Sequence, residues 1–262
     1  MIDLHCHILP NVDDGPSSLA ESLAVARLFV ADGITHVTAT PHCHRYLRLL
    51  REDILPAVNQ LNWHLGQEKI PLKVFPGAEI QVTEVSAYQR DYEAGVLCHL
   101  GDNPAFSLTE FPWQAGLYPD DAAGLIAWLM DRGTRPIIAH PERHDYFRKQ
   151  PDRLKSLTNA GAWIQITVDS LLDKNGPAAR AAAESFLAEF PDAVLSTDSH
   201  SPQRCSGLSI GYATVSERLG SKRAADLRER SHHVLQVLLR YSDESASVKM
   251  SRLAHDSSDK VH

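Results

Sequence analysis

The chain predicts an α/β barrel of seven strand–helix units, and three observations carry that reading. Short apolar runs alternate with amphipathic stretches along most of its 262 residues. Nearly all of those runs end on a histidine or a carboxylate. A closed barrel brings the C-terminal ends of its strands to one mouth, whereas an open sheet would spread them apart.

The first strand is expected over residues 2–7. Ser18 and Glu21 then form a capping-box pattern, and Leu19, Leu23, Ala26 and Val30 make one apolar helical stripe that stops at Gly33. Further strands are expected over residues 34–40, 72–76, 105–110, 136–140, 162–166 and 193–197. Helices between them are expected over 51–65, 83–94, 120–132, 151–160 and 177–190, with two more between 208 and 239. These units make one domain over residues 1–241. The segment 242–262 is polar, Ser-rich and aperiodic, so a disordered tail is expected there.

Composition narrows the function class. Hydrophobic residues at 43% and charged residues at 23% describe an ordinary globular protein. A net charge of −7 argues against a broad nucleic-acid footprint, and the apolar runs are too short for membrane insertion. With neither a basic flank nor a long apolar run before His5, no signal peptide is expected and a cytoplasmic location follows. Cys6, Cys43, Cys98 and Cys205 show no CxxC spacing and read as free thiols.

The chemistry sits at the strand ends. His5 and His7 are two apart on a strand, which places both imidazoles on one face. Asp14 follows in an acidic turn, with Asp13 beside it as a turn residue. After Pro41, either His42 or His44 is placed to ligate. Gly77 lets the backbone pass close before Glu79 turns inward. Glu110, His140, Asp198 and His200 end the later strands. Nine nitrogen and oxygen ligands are too many for one metal and fit two or three divalent ions, with manganese, iron and zinc all allowed. Such a cluster suits phosphoryl hydrolysis. Arg143, three after His140, and Arg204, four after His200, are candidate phosphate forks. His64, His99, His144, His232, His233, His255 and His262 lack strand-end context and read mostly as surface or tail.

The string IDLHCHILPNVDDGPSSLAESL, followed by ATPH, PGAEI, LTEF, IIAHPER and STDSH, resembles the polymerase and histidinol phosphatase (PHP) superfamily. Within it, the chain is most similar to the manganese-dependent tyrosine-protein phosphatases of bacterial capsule and exopolysaccharide synthesis. The resemblance spans about residues 1–239 and implies a distorted (β/α)7 TIM-like barrel, the PHP fold. It implies three divalent metals, most often Mn2+, and attack on phosphate esters by a metal-bound hydroxide without a phosphocysteine. By matching motif, His5, His7, Glu79 and Asp198 would hold one metal, Glu79, Glu110 and His140 a second, and Asp14, His42 and His200 a third. Arg143 in AHPER and Arg204 match phosphate-engaging arginines. Where the family pattern has Asn-Pro before the last helix, the chain reads Arg-Ser-His-His-Val over 230–234.

The resemblance implies a phosphotyrosine protein as substrate and partner, with the C-terminal tail of a bacterial tyrosine kinase governing polysaccharide export as its source. The alternatives are histidinol phosphate or another small phosphomonoester as substrate, and a metal-stabilised binding module without turnover. An amidohydrolase would want a lysine on the fourth strand and a histidine on the sixth. The chain has Glu110 and the histidine-free AWIQI there.

Overall fold

Seven parallel strand positions follow one another round the fold, and two of them are broken midway. The computed structural model describes residues 1–258, with side chains through residue 243. In chain order the first half holds β1 (Ile2–Cys6), α1 (Leu19–Ala31), β2 (His36–Ala39), β3 (His42–His44), β4 (Leu47–Arg48), α2 (Arg51–Gln67), β5 (Lys73–Pro76), β6 (Glu79–Gln81), α3 (Val85–Glu93) and β7 (Phe106–Glu110). The second half holds α4 (Ala122–Asp131), β8 (Arg135–Ile138), α5 (Asp145–Lys149), α6 (Pro151–Asn159), β9 (Trp163–Thr167), α7 (Val168–Leu171), α8 (Pro177–Glu189), β10 (Ala193–Ser196), α9 (Leu208–Leu219) and α10 (Ser221–Ser258).

The breaks have local causes. Pro41 has no N–H for a ladder, so the strand expected over 34–40 stops as β2, and the chain resumes beyond it as β3. At Gly77, between β5 and β6, a side chain would meet Thr38 Cγ2 at 2.7 Å and the Ala39 carbonyl at 3.3 Å. Only glycine allows the backbones to approach so closely. One sheet therefore runs β1-β2-β5 and the other β10-β9-β8-β7-β6-β3-β4, all parallel except the β3–β4 hairpin, which the periodicity had not predicted.

Backbone hydrogen bonds return the circuit from β10 to β1. The His7 N–H donates to the Ser199 carbonyl at 2.8 Å and the Asp198 N–H to the His5 carbonyl at 2.9 Å. This seam is short and irregular, and the ring is accordingly a distorted (β/α)7 barrel.

Burial sorts the chain into two apolar layers. Phe106 and Leu108 of β7 join Ile2, Leu4, Phe75, Ile137 and Val194 in an inner cluster drawn from strands around the ring, and Val234, Leu235 and Leu238 of α10 pack against it. The larger cluster lies between the strands and the helices and includes Val25, Ala26 and Phe29 of α1. Ser18 caps α1 by accepting the Glu21 N–H at 3.3 Å, an interaction worth about 0.5–2 kcal/mol. Helix α10 continues through residues 242–258 of the segment expected to form a disordered tail, and residues 259–262 lie outside the described ones.

Candidate metal centre at the barrel mouth

Strand alternation delivers the first ligands. Phe106, Leu108 and Glu110 share one face of β7, so the carboxylate of Glu110 extends the inner surface to the mouth. The β1–β2 register shifts between Asp3 and Cys6, and the His5 and His7 imidazoles approach Glu79 beneath the same cavity. Two more ligand candidates sit on left-handed backbone, His140 at φ 32° and Asp198 at φ 53°. A non-glycine residue held there costs on the order of 1–3 kcal/mol and persists only where the surroundings fix it.

The nine side chains singled out in the sequence meet in this one place. Asp14, His42, Glu79, Glu110, His140, Asp198 and His200 line a cavity of about 310 Å³ together with Arg143, Arg204 and Trp113, while His5 and His7 lie buried beneath it. His44 stands aside on the hairpin, its Nδ1 accepting the N–H groups of Tyr46 and Leu47, and it belongs to none of the clusters.

Donor spacing fits a cation. His5 Nε2 and His7 Nε2 are 3.3 Å apart, and they lie 3.5 and 3.6 Å from Glu79 Oε2 and 3.3 and 3.5 Å from Asp198 Oδ1. Four donors held tetrahedrally at zinc-like bond lengths of about 2.1 Å would stand about 3.4 Å apart. A second convergence joins Asp14 Oδ1 to His42 Nε2 and His200 Nε2, both at 3.4 Å. In a third, His140 Nε2 lies 2.8 Å from Glu79 Oε1, and Glu79 and Glu110 cluster with His42. Glu79 Oε2 is buried without a hydrogen bond, although His42 Nδ1 is only 2.9 Å away. An uncompensated buried oxygen facing several ring nitrogens is what a cation would satisfy.

Partners behind the ring fix which nitrogen faces inward. His5 Nδ1 pairs with Gln165 Oε1 at 3.0 Å, His7 Nδ1 with Asp13 Oδ2 at 2.7 Å, and His200 Nδ1 with the Asp198 carbonyl at 2.8 Å. Each acceptor takes an Nδ1 proton and leaves Nε2 as the inward lone pair. Asp13 thus does more than the turn-forming read from its sequence context. Gln165 had no sequence signal beyond its place in a histidine-free strand.

The electrostatics describe a cluster in which protons compete for the same lone pairs. Burial opposes charge on His42, but the carboxylates of Asp14 and Glu79 beside it raise it to about 10. His5 and His7 are likewise raised, against burial, by carboxylates around them. Glu79, despite burial, is held well below the usual carboxylate range by His5 and His140, and Asp198 is lowered in the same way, chiefly by His5. Hydrogen bonds from His200 and His42 lower Asp14. Glu110 goes the other way, pushed to about 8 by burial and by the charge of Glu79.

Arg143 Nη1 donates to Asp198 Oδ2 at 2.6 Å, and Arg204 is exposed at the edge of the cavity. Two of the histidines read as surface are buried, His99 and His144. Burial holds His99 down to about 4. His144 lies beside the centre, clustered with Glu110 and His140 and stacked on Trp113, and no strand-end position marked it in the sequence. His232 and His233 are exposed, His64 is half-buried, the side chain of His255 lies outside those described, and His262 lies outside the described residues.

The comparisons with known proteins agree with this geometry. The model of the family described as "Capsular polysaccharide synthesis, CpsB/CapC" matches residues 1–236. The chain is 40% identical over 173 residues to the tyrosine-protein phosphatase YwqE of Bacillus subtilis, an alignment covering 65% of this chain and 66% of YwqE. It is 28% identical over 235 residues to the tyrosine-protein phosphatase CpsB of Streptococcus agalactiae, covering 87% and 94%. In three dimensions it superposes with a TM-score of 0.84 and 33% identity on a chain from the crystal structures of YwqE from Bacillus subtilis and CpsB from Streptococcus pneumoniae, described as unique metal-dependent tyrosine phosphatases. That superposition covers 90% of this chain and 94% of the other.

Proposed function

The chain belongs to the CpsB/CapC family of capsular polysaccharide synthesis, and from that premise we propose that it is a metal-dependent phosphatase hydrolysing phosphotyrosine in a protein. The observation that carries the chemistry is the convergence of nine nitrogen and oxygen donors with Arg143 and Arg204 at a single cavity. His5, His7, Glu79 and Asp198 would hold one divalent cation, Glu79, Glu110 and His140 a second, and Asp14, His42 and His200 a third. Without thiolates, the set suits Mn2+ first, with iron and zinc as alternatives. Such ions, when bound, neutralise phosphate charge and bring water into its ionisable range near neutral pH.

The protein's own groups then orient the ester. Arg143 and Arg204 flank the cavity as forks for the non-bridging oxygens. The backing pairs Gln165–His5 and Asp13–His7 keep the donors aimed, so little reorganisation is needed when a phosphate enters. The proposed substrate is a tyrosine-phosphorylated C-terminal tail of a bacterial kinase, met in the cytoplasm. No helix among the described residues is long and apolar enough to cross a membrane.

Hydrolysis of a phosphotyrosine peptide should require divalent metal, stop on chelation and return on adding Mn2+. Elemental analysis of the active protein should find two to three equivalents. One equivalent or fewer in a fully active preparation would overturn the polynuclear centre. A kcat/KM on histidinol phosphate well above that on the peptide would move the substrate while leaving the chemistry in place.

Cation binding should also release protons. In the metal-free chain Glu110 keeps its proton up to about pH 8 and His42 up to about 10. Both protons must leave when those groups ligate, so affinity should rise from pH 6 to pH 8, about tenfold per unit for each proton displaced. Calorimetric metal titrations in buffers of different ionisation enthalpy check this, and a pH-independent affinity would contradict it.

A further inference from the structure

One ring other than an imidazole lines the catalytic cavity. Trp113 sits three residues past the end of β7 and remains 45% exposed although it belongs to the cavity wall. A large apolar ring left open at a polar site is informative in a way that scattered surface leucines are not. The two residues before it are anchored. Phe111 is buried against Tyr118 and Phe147, and the Pro112 carbonyl accepts the Tyr146 hydroxyl at 3.0 Å.

Two imidazoles share one face of the indole. His144 stacks on it at 4.3 Å with an interplanar angle of 20°, and His140 at 5.4 Å with 17°. The two imidazoles are 5.6 Å apart. Rings stacked at contact distance on opposite faces of an indole would stand about 7 Å apart or more, so both lie on the same side. The Arg143 guanidinium carbon is 5.0 Å from the indole centroid, and the same arginine reaches Asp198. Phosphate fork and aromatic surface are thus adjacent.

We propose that Trp113 is the residue that selects aryl over alkyl phosphate monoesters, its exposed ring stacking on the phenyl ring of phosphotyrosine while the phosphate lies by Arg143 and the ligand cluster. This deepens the phosphatase reading and rests on it. An offset-stacked pair adds stabilisation that an alkyl ester cannot collect, equivalent to about tenfold in affinity at the upper end. His140 and His144 would hold the indole in plane for that contact.

The test uses the full, metal-loaded protein and the variants Trp113→Ala, Trp113→Leu and Trp113→Phe. Leucine keeps apolar volume over His140 and His144 without offering a ring face, so it separates stacking from support of the site, and metal content is measured in every variant. On one peptide made in phosphotyrosine and phosphoserine forms, W113L should raise KM about tenfold for the tyrosine form alone, and W113F should restore most of the difference. Calorimetry with phenylphosphonate and methylphosphonate provides a readout independent of turnover, and the preference for the phenyl compound should vanish in W113A and W113L. If the wild type hydrolyses phosphotyrosine and the phenyl preference persists in W113A and W113L, the role of Trp113 is refuted and the phosphatase reading stands. If the wild type hydrolyses neither ester but shows a Trp113-dependent phenyl preference, the phosphatase reading fails and the aryl site stands. Equal losses on both esters in W113L with full metal content would make Trp113 a structural residue and refute the proposal.

Discussion

His5→Ala and Asp198→Ala should each lower phosphotyrosine hydrolysis by more than about a hundredfold, beyond the 10–100-fold typical of a partner one shell further out. The reason is their place in the four-donor group, where His5 Nε2 stands 3.3 Å from both His7 Nε2 and Asp198 Oδ1. Removing either opens that group on one side. Metal content should fall by about one equivalent in each variant, measured by elemental analysis. Far-UV circular dichroism should be unchanged, because the barrel layers that hold the fold together do not include either side chain. A variant with wild-type turnover would remove that residue from the centre, and a collapsed spectrum would make it a residue of the fold.

How much of this was legible in the sequence differs residue by residue. The candidate ligands could be gathered from the sequence because their placement follows from strand period and chain order, as with Phe106, Leu108 and Glu110 on a single face of β7. The seven parallel positions were visible for the same reason. The stops at Pro41 and Gly77 were visible too, but the resumption of each strand position as β3 and β6 was not, because it depends on pairing with a neighbouring strand rather than on local sequence. Left-handed backbone at His140 and Asp198 was hidden too, since Asp and His adopt it more often than most residues but still uncommonly. His144 and Gln165 were missed for a third reason. Their roles come from long-range neighbours, a Trp113 ring in one case and the His5 imidazole 160 positions earlier in the other, and no local spacing encodes such a contact. The choice between His42 and His44 was likewise tertiary, decided by a hairpin in which His44 accepts its own turn's N–H groups.

Arg143→Ala should cost on the order of 10²–10³ in kcat/KM on a phosphotyrosine peptide, by analogy with the loss of a preorganised donor to developing charge. Arg143→Lys should be nearly as damaging, because lysine keeps the charge but cannot reproduce a planar two-pronged contact. The structure adds a competing explanation to be separated from this one. Arg143 Nη1 already holds Asp198 Oδ2 at 2.6 Å, so an arginine that served only to orient a metal ligand would also be sensitive to substitution. The two roles part on metal content and on the lysine variant. A positioning arginine would lose metal in Arg143→Ala and recover much of its activity in Arg143→Lys, since an ammonium can pair with one carboxylate oxygen. A phosphate fork would keep wild-type metal in both variants and lose rate in both. Retention of most of the wild-type kcat/KM by Arg143→Lys would therefore assign Arg143 to Asp198 alone and leave Arg204 as the phosphate contact at this cavity.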